Sequence, residues 1–229
     1  MYVVVTGGTK GIGRAIIEEL ASDCSLIATC SRNQKDLDML ACQYESGLVK
    51  TQKIDLSIGK DRGKFTEFIL SHGTPDVLVN NAGYFIQDKL PDIFPGENLE
   101  MMLQHNFYST MELTQILIPY MIVKQRGHII NVCSVAGTKL YMNSASYTLA
   151  KTLQLTYSRM LREYLKDKSV KVTSIIPGAT HTNSWAGIDV PKNRIIEPED
   201  VARVVKTCLS LGASANIEDI IIRPTQGDL

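Results

Sequence analysis

The sequence has no excess of charge of either sign. Its 24 Lys and Arg residues balance 24 Asp and Glu over 229 residues. That argues against a broad basic face for nucleic-acid phosphates and against a polybasic membrane segment. Long hydrophobic runs are also missing. No stretch of 18 apolar residues occurs, so no bilayer span is expected. The opening run Tyr2-Val3-Val4-Val5 is too short for a secretory leader and has no basic residue before it. Cysteines are few and odd in number: Cys24, Cys30, Cys42, Cys133 and Cys208. None form a C-x-x-C pair, which argues against a disulfide framework and for reduced thiols in the cytoplasm. The histidines His72, His105, His128 and His181 are scattered without paired ligand spacing, so no metal site is expected.

What is present is an ordinary globular balance, 44% hydrophobic and 21% charged. A chain of this length suits one α/β domain over 1–229, with about 70–75% of its unfolded surface buried. Apolar runs rich in Val and Ile fall at Tyr2–Thr6, 25–30, 49–54, 76–79, 128–133, 171–176 and 219–223. Most are continuous rather than alternating, as in parallel strands covered on both faces. Helical patterns lie between them near 12–22, 34–45, 60–72, 97–124, 145–167 and 198–211. Pro198, followed by Glu199 and Asp200, suits a first helical turn. Pro119 is expected to kink the 97–124 helix. Strand–helix alternation throughout predicts a doubly wound parallel sheet of about seven strands with right-handed crossovers. The longest irregular segment late in the chain is 180–196, the candidate substrate loop.

The first strand runs into Thr6-Gly7-Gly8-Thr9-Lys10-Gly11-Ile12-Gly13 and then a helix. Glycines there permit a tight turn, close approach of a phosphate and close helix–strand packing. The helix N-terminus offers unpaired N–H groups to a pyrophosphate. No Gly-Lys-Ser/Thr ending follows, so this is not a Walker A loop. The second strand ends at Ser31-Arg32, where NAD-binding folds usually carry an acid. With that acid missing, Lys10 and Arg32, helped by Thr9 and Ser31, are expected to converge unopposed on a 2′-phosphate. The expected cofactor is NADP(H) rather than NAD(H).

Tyr147 and Lys151 lie four apart at the start of a helical pattern, on one face. A phenol titrates near pH 10, too high for efficient proton transfer at neutral pH. A neighbouring ammonium would lower it, and three units would correspond to roughly 4 kcal/mol. Ser134 follows the strand near 128–133, at the carboxyl end, where open α/β sheets bind ligands.

These motifs together resemble the classical short-chain dehydrogenase/reductase family over nearly the whole chain. Gly7-x-x-x-Gly11-x-Gly13 looks like its cofactor loop, Asn80-Asn81-Ala82-Gly83 its strand-four signature and Asp55-Leu56 its adenine-contacting pair. Ser134, Tyr147 and Lys151 match its catalytic triad, and Asn106 the residue that completes a tetrad. Pro177 and Gly178, with Thr180 and Thr182, look like the segment holding the nicotinamide carboxamide. Lys10 and Arg32 are similar to those of its NADPH-dependent carbonyl reductases. Cys133 departs from the small residue common there. The resemblance implies a Rossmann fold with strand order 3-2-1-4-5-6-7 and hydride transfer between nicotinamide and a carbonyl or alcohol. In that scheme Ser134 polarises the carbonyl, Tyr147 moves the proton, Lys151 lowers its pKa and Asn106 holds a relay water. It also implies a homodimer or homotetramer built through helices like 97–124 and 145–167.

Tyr84, Phe85, Tyr141, Met142 and Trp185 are candidate walls for a substrate with an apolar part: a ketone, an aldehyde or a 3-oxoacyl group. Other readings are a non-catalytic NAD(P)-binding sensor or scaffold, which would commonly lose the Tyr or Lys, and a methyltransferase, which would usually carry the missing acid. Docking of an acyl carrier protein would need more cations than Lys124 and Arg126 supply.

Overall fold

A computed structural model describes residues 1–93, 96–182, 191 and 194–227. Seven strands form one sheet: β1 Tyr2–Thr6, β2 Leu26–Ser31, β3 Val49–Lys53, β4 Val77–Asn80, β5 Gly127–Val132, β6 Val170–Pro177 and β7 Asp219–Ile222. All adjacent pairs are parallel and the order is β3-β2-β1-β4-β5-β6-β7, as expected from the sequence. Burial explains the continuous apolar runs. Every residue of β1, β4 and β5 is buried, while the edge strands β3 and β7 are half-exposed.

Side chains alternate between two apolar layers. Val3 and Val5 of β1 pack with Ile16, Ile17 and Leu20 of α1 (Gly11–Leu20), Leu40 of α2 (Gln34–Ala41), and Val201 and Val205 of α7 (Pro198–Ser210). Tyr2 and Val4 face the other way. They meet Phe65 and Ile69 of α3 (Gly59–Ser71), Leu113 and Leu117 of α5 (Ser109–Lys124), and Leu161 and Leu165 of α6 (Ala145–Leu165). Pro198 opens α7 with two acids behind it, as expected.

The helical run from residue 97 differs from expectation. It begins as α4 (Glu97–Leu103), widens into a π-turn over Gln104–Tyr108 and continues as α5. The departure from α geometry therefore falls around Asn106. Pro119 lies inside α5, where the carbonyl it leaves unpaired belongs to exposed Gln115.

A polar band crosses this otherwise apolar layer. Asn80 Nδ2 donates to Thr114 Oγ1 and Asn131 Oδ1, both at 2.8 Å. Asn131 Nδ2 donates to Ser158 Oγ of α6 at 2.9 Å, and Ser158 shares a bond with Ser174 Oγ of β6. Farther along α6, Arg162 reaches Ser174 and Asp219.

Candidate active site

The carboxyl ends of β1, β2, β4, β5 and β6 open onto one groove of roughly 1100 Å³, the place where open α/β sheets bind ligands. The glycine loop forms its floor. Gly7 and Gly11 have φ of +68° and +52°, in the left-handed region. A Cβ on Gly13 would stand 2.4 Å from Gly7 O, so only glycine lets α1 start this close to β1. Asn81 holds the loop in shape: its Nδ2 donates to Thr6 O and Gly7 O, while Asn81 N and Ala82 N donate to Thr6 Oγ1. Thr182 lies over Gly11, whose Cβ would meet the threonine methyl at 3.0 Å. Ile12, Ala82, Pro177, Gly178 and Thr180 also line the groove. Such a cradle, with an open helix start, fits a pyrophosphate.

Where β2 meets the groove the expected residues assemble, but their charges do not stand unopposed. Thr9 Oγ1 donates to Ser31 Oγ at 3.1 Å. Lys10 is paired with Asp36 at 2.8 Å, an acid five positions past Ser31 in the first turn of α2. Arg32 lies over the Tyr84 ring, 6.0 Å from its centroid, and its charge reaches Asp55. Burial pushes the Asp55 carboxyl up, but two Ser57 bonds and Arg32 bring it below the usual range. The expectation of cations without an acid is thus corrected. The acid stands beyond the strand end, in the first turn of α2, which folds back toward Lys10. Leu56 lines the groove while packing into the core beneath.

At the other end Ser134 follows β5. Its Oγ accepts from Ala136 N at 3.1 Å and stands near enough to the Tyr147 phenol to lower its pKa. Lys151 is 4% exposed and its ammonium stands 5.8 Å from the Tyr147 ring centroid. It donates to Val132 O at 3.1 Å and Gln154 Oε1 at 2.8 Å. The expected lowering of the phenol is not what this arrangement gives. Burial pushes Tyr147 up to about 12, with Ser134 pulling back, and pushes Lys151 down to about 8. Desolvation is the largest influence on both groups.

Asn106 lies within this site but uses its side chain on the backbone. Oδ1 accepts from Tyr84 N at 3.1 Å, and Nδ2 donates to Tyr84 O at 2.9 Å and Met102 O at 3.0 Å. The amide thus pairs with the loop after β4 as a strand neighbour would, within the π-turn. Gly83 is required beside it, since a Cβ there would stand 2.7 Å from Asn106 Oδ1.

Tyr84, Phe85, Tyr141 and Met142 line the groove as expected. Phe85 meets Tyr147 edge-on at 5.1 Å. Trp185 and most of the 180–196 segment lie outside the described residues. Cys133 is buried beside Ser134, and burial pushes its thiol up to about 12. Lys124 and Arg126 both turn onto Asp76. Sequence reasoning missed Asp36, His105, Gln87, Leu140 and Asn143 on the groove wall, and Gln154 behind Lys151. Only Gln154 carried a signal, as a polar residue three positions from Lys151 on a buried helix face.

Residues 1–192 match the family model described as short chain dehydrogenase. The chain belongs to the short-chain dehydrogenase family. It is 32% identical over 238 residues to a sepiapterin reductase of Chlorobaculum tepidum, covering 99% of this chain and 97% of that protein. An uncharacterized oxidoreductase of Staphylococcus epidermidis is 30% identical over 222 residues, covering 96% of each. Among solved structures, a metagenomic short-chain oxidoreductase in complex with NADP superposes with a TM-score of 0.84 at 29% identity, covering 98% and 97% of the two chains. The closed form of a serine dehydrogenase complexed with NADP+ gives 0.89 at 25% identity, covering 100% and 97%. The family is one of oxidoreductases. Among the described residues, no helix is long and apolar enough to cross a membrane.

Proposed function

We propose that this short-chain dehydrogenase is an NADP(H)-dependent oxidoreductase acting on carbonyl and alcohol groups, with Tyr147 as proton donor and acceptor. The observation that carries this reading is that Ser134, Tyr147 and Lys151 meet in one groove, with the Lys151 ammonium 5.8 Å from the Tyr147 ring centroid on the same helix face. All three line the groove that the glycine loop floors. The NADP-bound neighbours support the cofactor. Gly7, Gly11, Ile12 and Gly13 would hold its pyrophosphate, with Asn81 fixing the loop around it. Thr9, Lys10, Ser31 and Arg32 would take the 2′-phosphate, and Asp55 and Leu56 would border the adenine. Ala82, Gly83, Pro177, Gly178, Thr180 and Thr182 would border the nicotinamide half. When bound, the cofactor supplies or accepts the hydride.

The chain's own residues handle the proton and the oxygen. Tyr147 and Ser134 would both donate to a carbonyl oxygen in the groove. Raised by burial, the phenol is the protonated partner at neutral pH, so it starts as the acid, as reduction requires. Lys151 remains charged at neutral pH and would stabilise the phenolate that forms. Asn106 holds the Tyr84 loop that walls the pocket. The aromatic wall of Tyr84, Phe85 and Tyr141 suits a ketone, aldehyde or 3-oxoacyl group with an apolar part. Lys124 and Arg126, both spent on Asp76, give a carrier protein little to dock on. The five thiols, all unpaired, fit a cytoplasmic setting. Exposed Ile116, Tyr120 and Val123 on α5, with Leu149, Leu153, Met160 and Tyr164 on α6, form helical stripes suited to a homodimer or homotetramer.

The test is Tyr147→Phe against a panel of carbonyl substrates. We expect turnover to fall by about two to four orders of magnitude while NADPH fluorescence still reports binding. Turnover near that of the unaltered enzyme would overturn the reading. Binding without turnover of any panel member by the unaltered chain would favour the sensor reading.

A further inference from the structure

Behind Lys151 the structure carries a buried polar chain that neither the glycine loop nor the Ser134–Tyr147 pair needs. Gln154 is 0% exposed, three residues past Lys151 in α6. Its Oε1 accepts from Lys151 Nζ at 2.8 Å and its Nε2 donates to Thr110 Oγ1 at 3.0 Å. Thr110 Oγ1 in turn donates to Asn106 O at 3.4 Å. We propose that Gln154 is the positioning residue for Lys151: it takes one ammonium proton from behind and leaves a single N–H facing the groove.

The count of donors carries this. An ammonium has three N–H groups. One goes to Val132 O and one to Gln154, which leaves one for a ligand hydroxyl or the Tyr147 oxygen. The chain also has a direction. Every donor in it points away from Lys151, and it ends on a carbonyl that has no proton to give. It therefore polarises toward the positive charge without offering an exit for a proton. Proton exchange at Lys151 is left to the groove side. The titratable groups facing Lys151 are Tyr147 on its own helix and Cys133 at the end of β5. The loop at Gly83, the π-turn at Asn106 and α5 at Thr110 present neutral groups. Among the described residues no carboxylate pairs with Lys151, so neutral acceptors alone hold a buried charge. An apolar side chain at 154 would leave that charge with one fewer acceptor.

This inference rests on reading Lys151 as the cation beside the reacting phenol, and its test separates the two. The probe is protein labelled with ε-13C lysine, without cofactor, titrated by NMR, with Lys151→Ala to assign the resonance. In Gln154→Leu the Lys151 midpoint should fall by roughly one pH unit, while the other lysines stay put. Thr110→Val, which cuts the next link, should move it the same way by less. Gln154→Glu should move it up. An unmoved Lys151 midpoint in folded Gln154→Leu would overturn the proposal, as would an unmoved one in Thr110→Val should the leucine variant fail to fold. In the loaded enzyme, the pH profile of kcat should follow the Lys151 midpoint. A midpoint that moves while the kcat profile stays fixed would uphold the positioning role and overturn the reading of Lys151 as the cation that stabilises the phenolate.

Discussion

Replacing Asn106 with Asp tests the structure around the π-turn through its pH dependence. The two side chains have the same shape. Oδ1 would still accept from Tyr84 N, but the former amide nitrogen would become an oxygen facing Tyr84 O and Met102 O at about the 2.9 and 3.0 Å seen for Asn106. An ionised carboxylate there would meet two carbonyl oxygens at a site that is 0% exposed. Burial and repulsion both favour the protonated acid, so its folded-state pKa should lie well above the unfolded value near 3.9. Below about pH 4 the acid is protonated in both states. Its one O–H then replaces one of two donated bonds, at a loss of about 1 kcal/mol. Above that, the gap to the unaltered protein should widen by about 1.4 kcal/mol per pH unit until the folded pKa is reached. A pKa raised by three units would remove about 4 kcal/mol, a large share of a total stability that is typically about 5–15 kcal/mol. Urea denaturation of both proteins from pH 5 to 8 measures the gap directly. A gap that stays flat with pH would mean that the Asn106 amide does not donate to these carbonyls, and the account of the π-turn would fail with it.

Two further expectations concern the adenosine end. Asp36→Asn releases Lys10, so NADPH should bind roughly three- to tenfold tighter with NADH unchanged; the shift is modest because Lys10 is more than half exposed, and fluorescence titration with both nucleotides measures it. Weaker NADPH binding would show instead that Asp36 is needed to aim Lys10. Arg32→Ala should raise the Michaelis constant for NADPH roughly ten- to a hundredfold and that for NADH far less, and equal effects in steady-state kinetics would argue against a 2′-phosphate site.

Most of the fold was legible because its signals are local. Continuous Val and Ile runs marked β1, β4 and β5, and the glycines marked the turn into α1. Strand boundaries moved by a residue or two, where pairing with a neighbour, rather than composition, decides the end. The pair proposed for the chemistry was legible for the same reason: Tyr147 and Lys151 share a helix face by spacing alone. What stayed hidden depends on contacts between distant segments. The pairing of Lys10 with Asp36 needs α2 to fold back on the glycine loop. The use of the Asn106 amide as a backbone splint needs the loop at Tyr84 beside the helix. The raised phenol of Tyr147 needs knowledge of which segments pack around it, which no four-residue spacing contains. The widened turn at 104–108 left no mark stronger than Pro119, which drew the expectation of a kink away from it.

The polar band through Asn80, Asn131, Ser158 and Ser174 bears on how α6 can move. Apolar packing tolerates a helix that slips or turns slightly, because one methyl contact replaces another. Hydrogen bonds at 2.8–2.9 Å do not. Ser158 lies eleven residues beyond Tyr147, about 16 Å along the helix axis, and Arg162 clamps the following turn. A rotation of α6 that carried Tyr147 away from Ser134 would have to break bonds three turns below. The phenol is thus aimed from the far end of its helix, and removing the Ser158 hydroxyl would blur its aim without touching the groove.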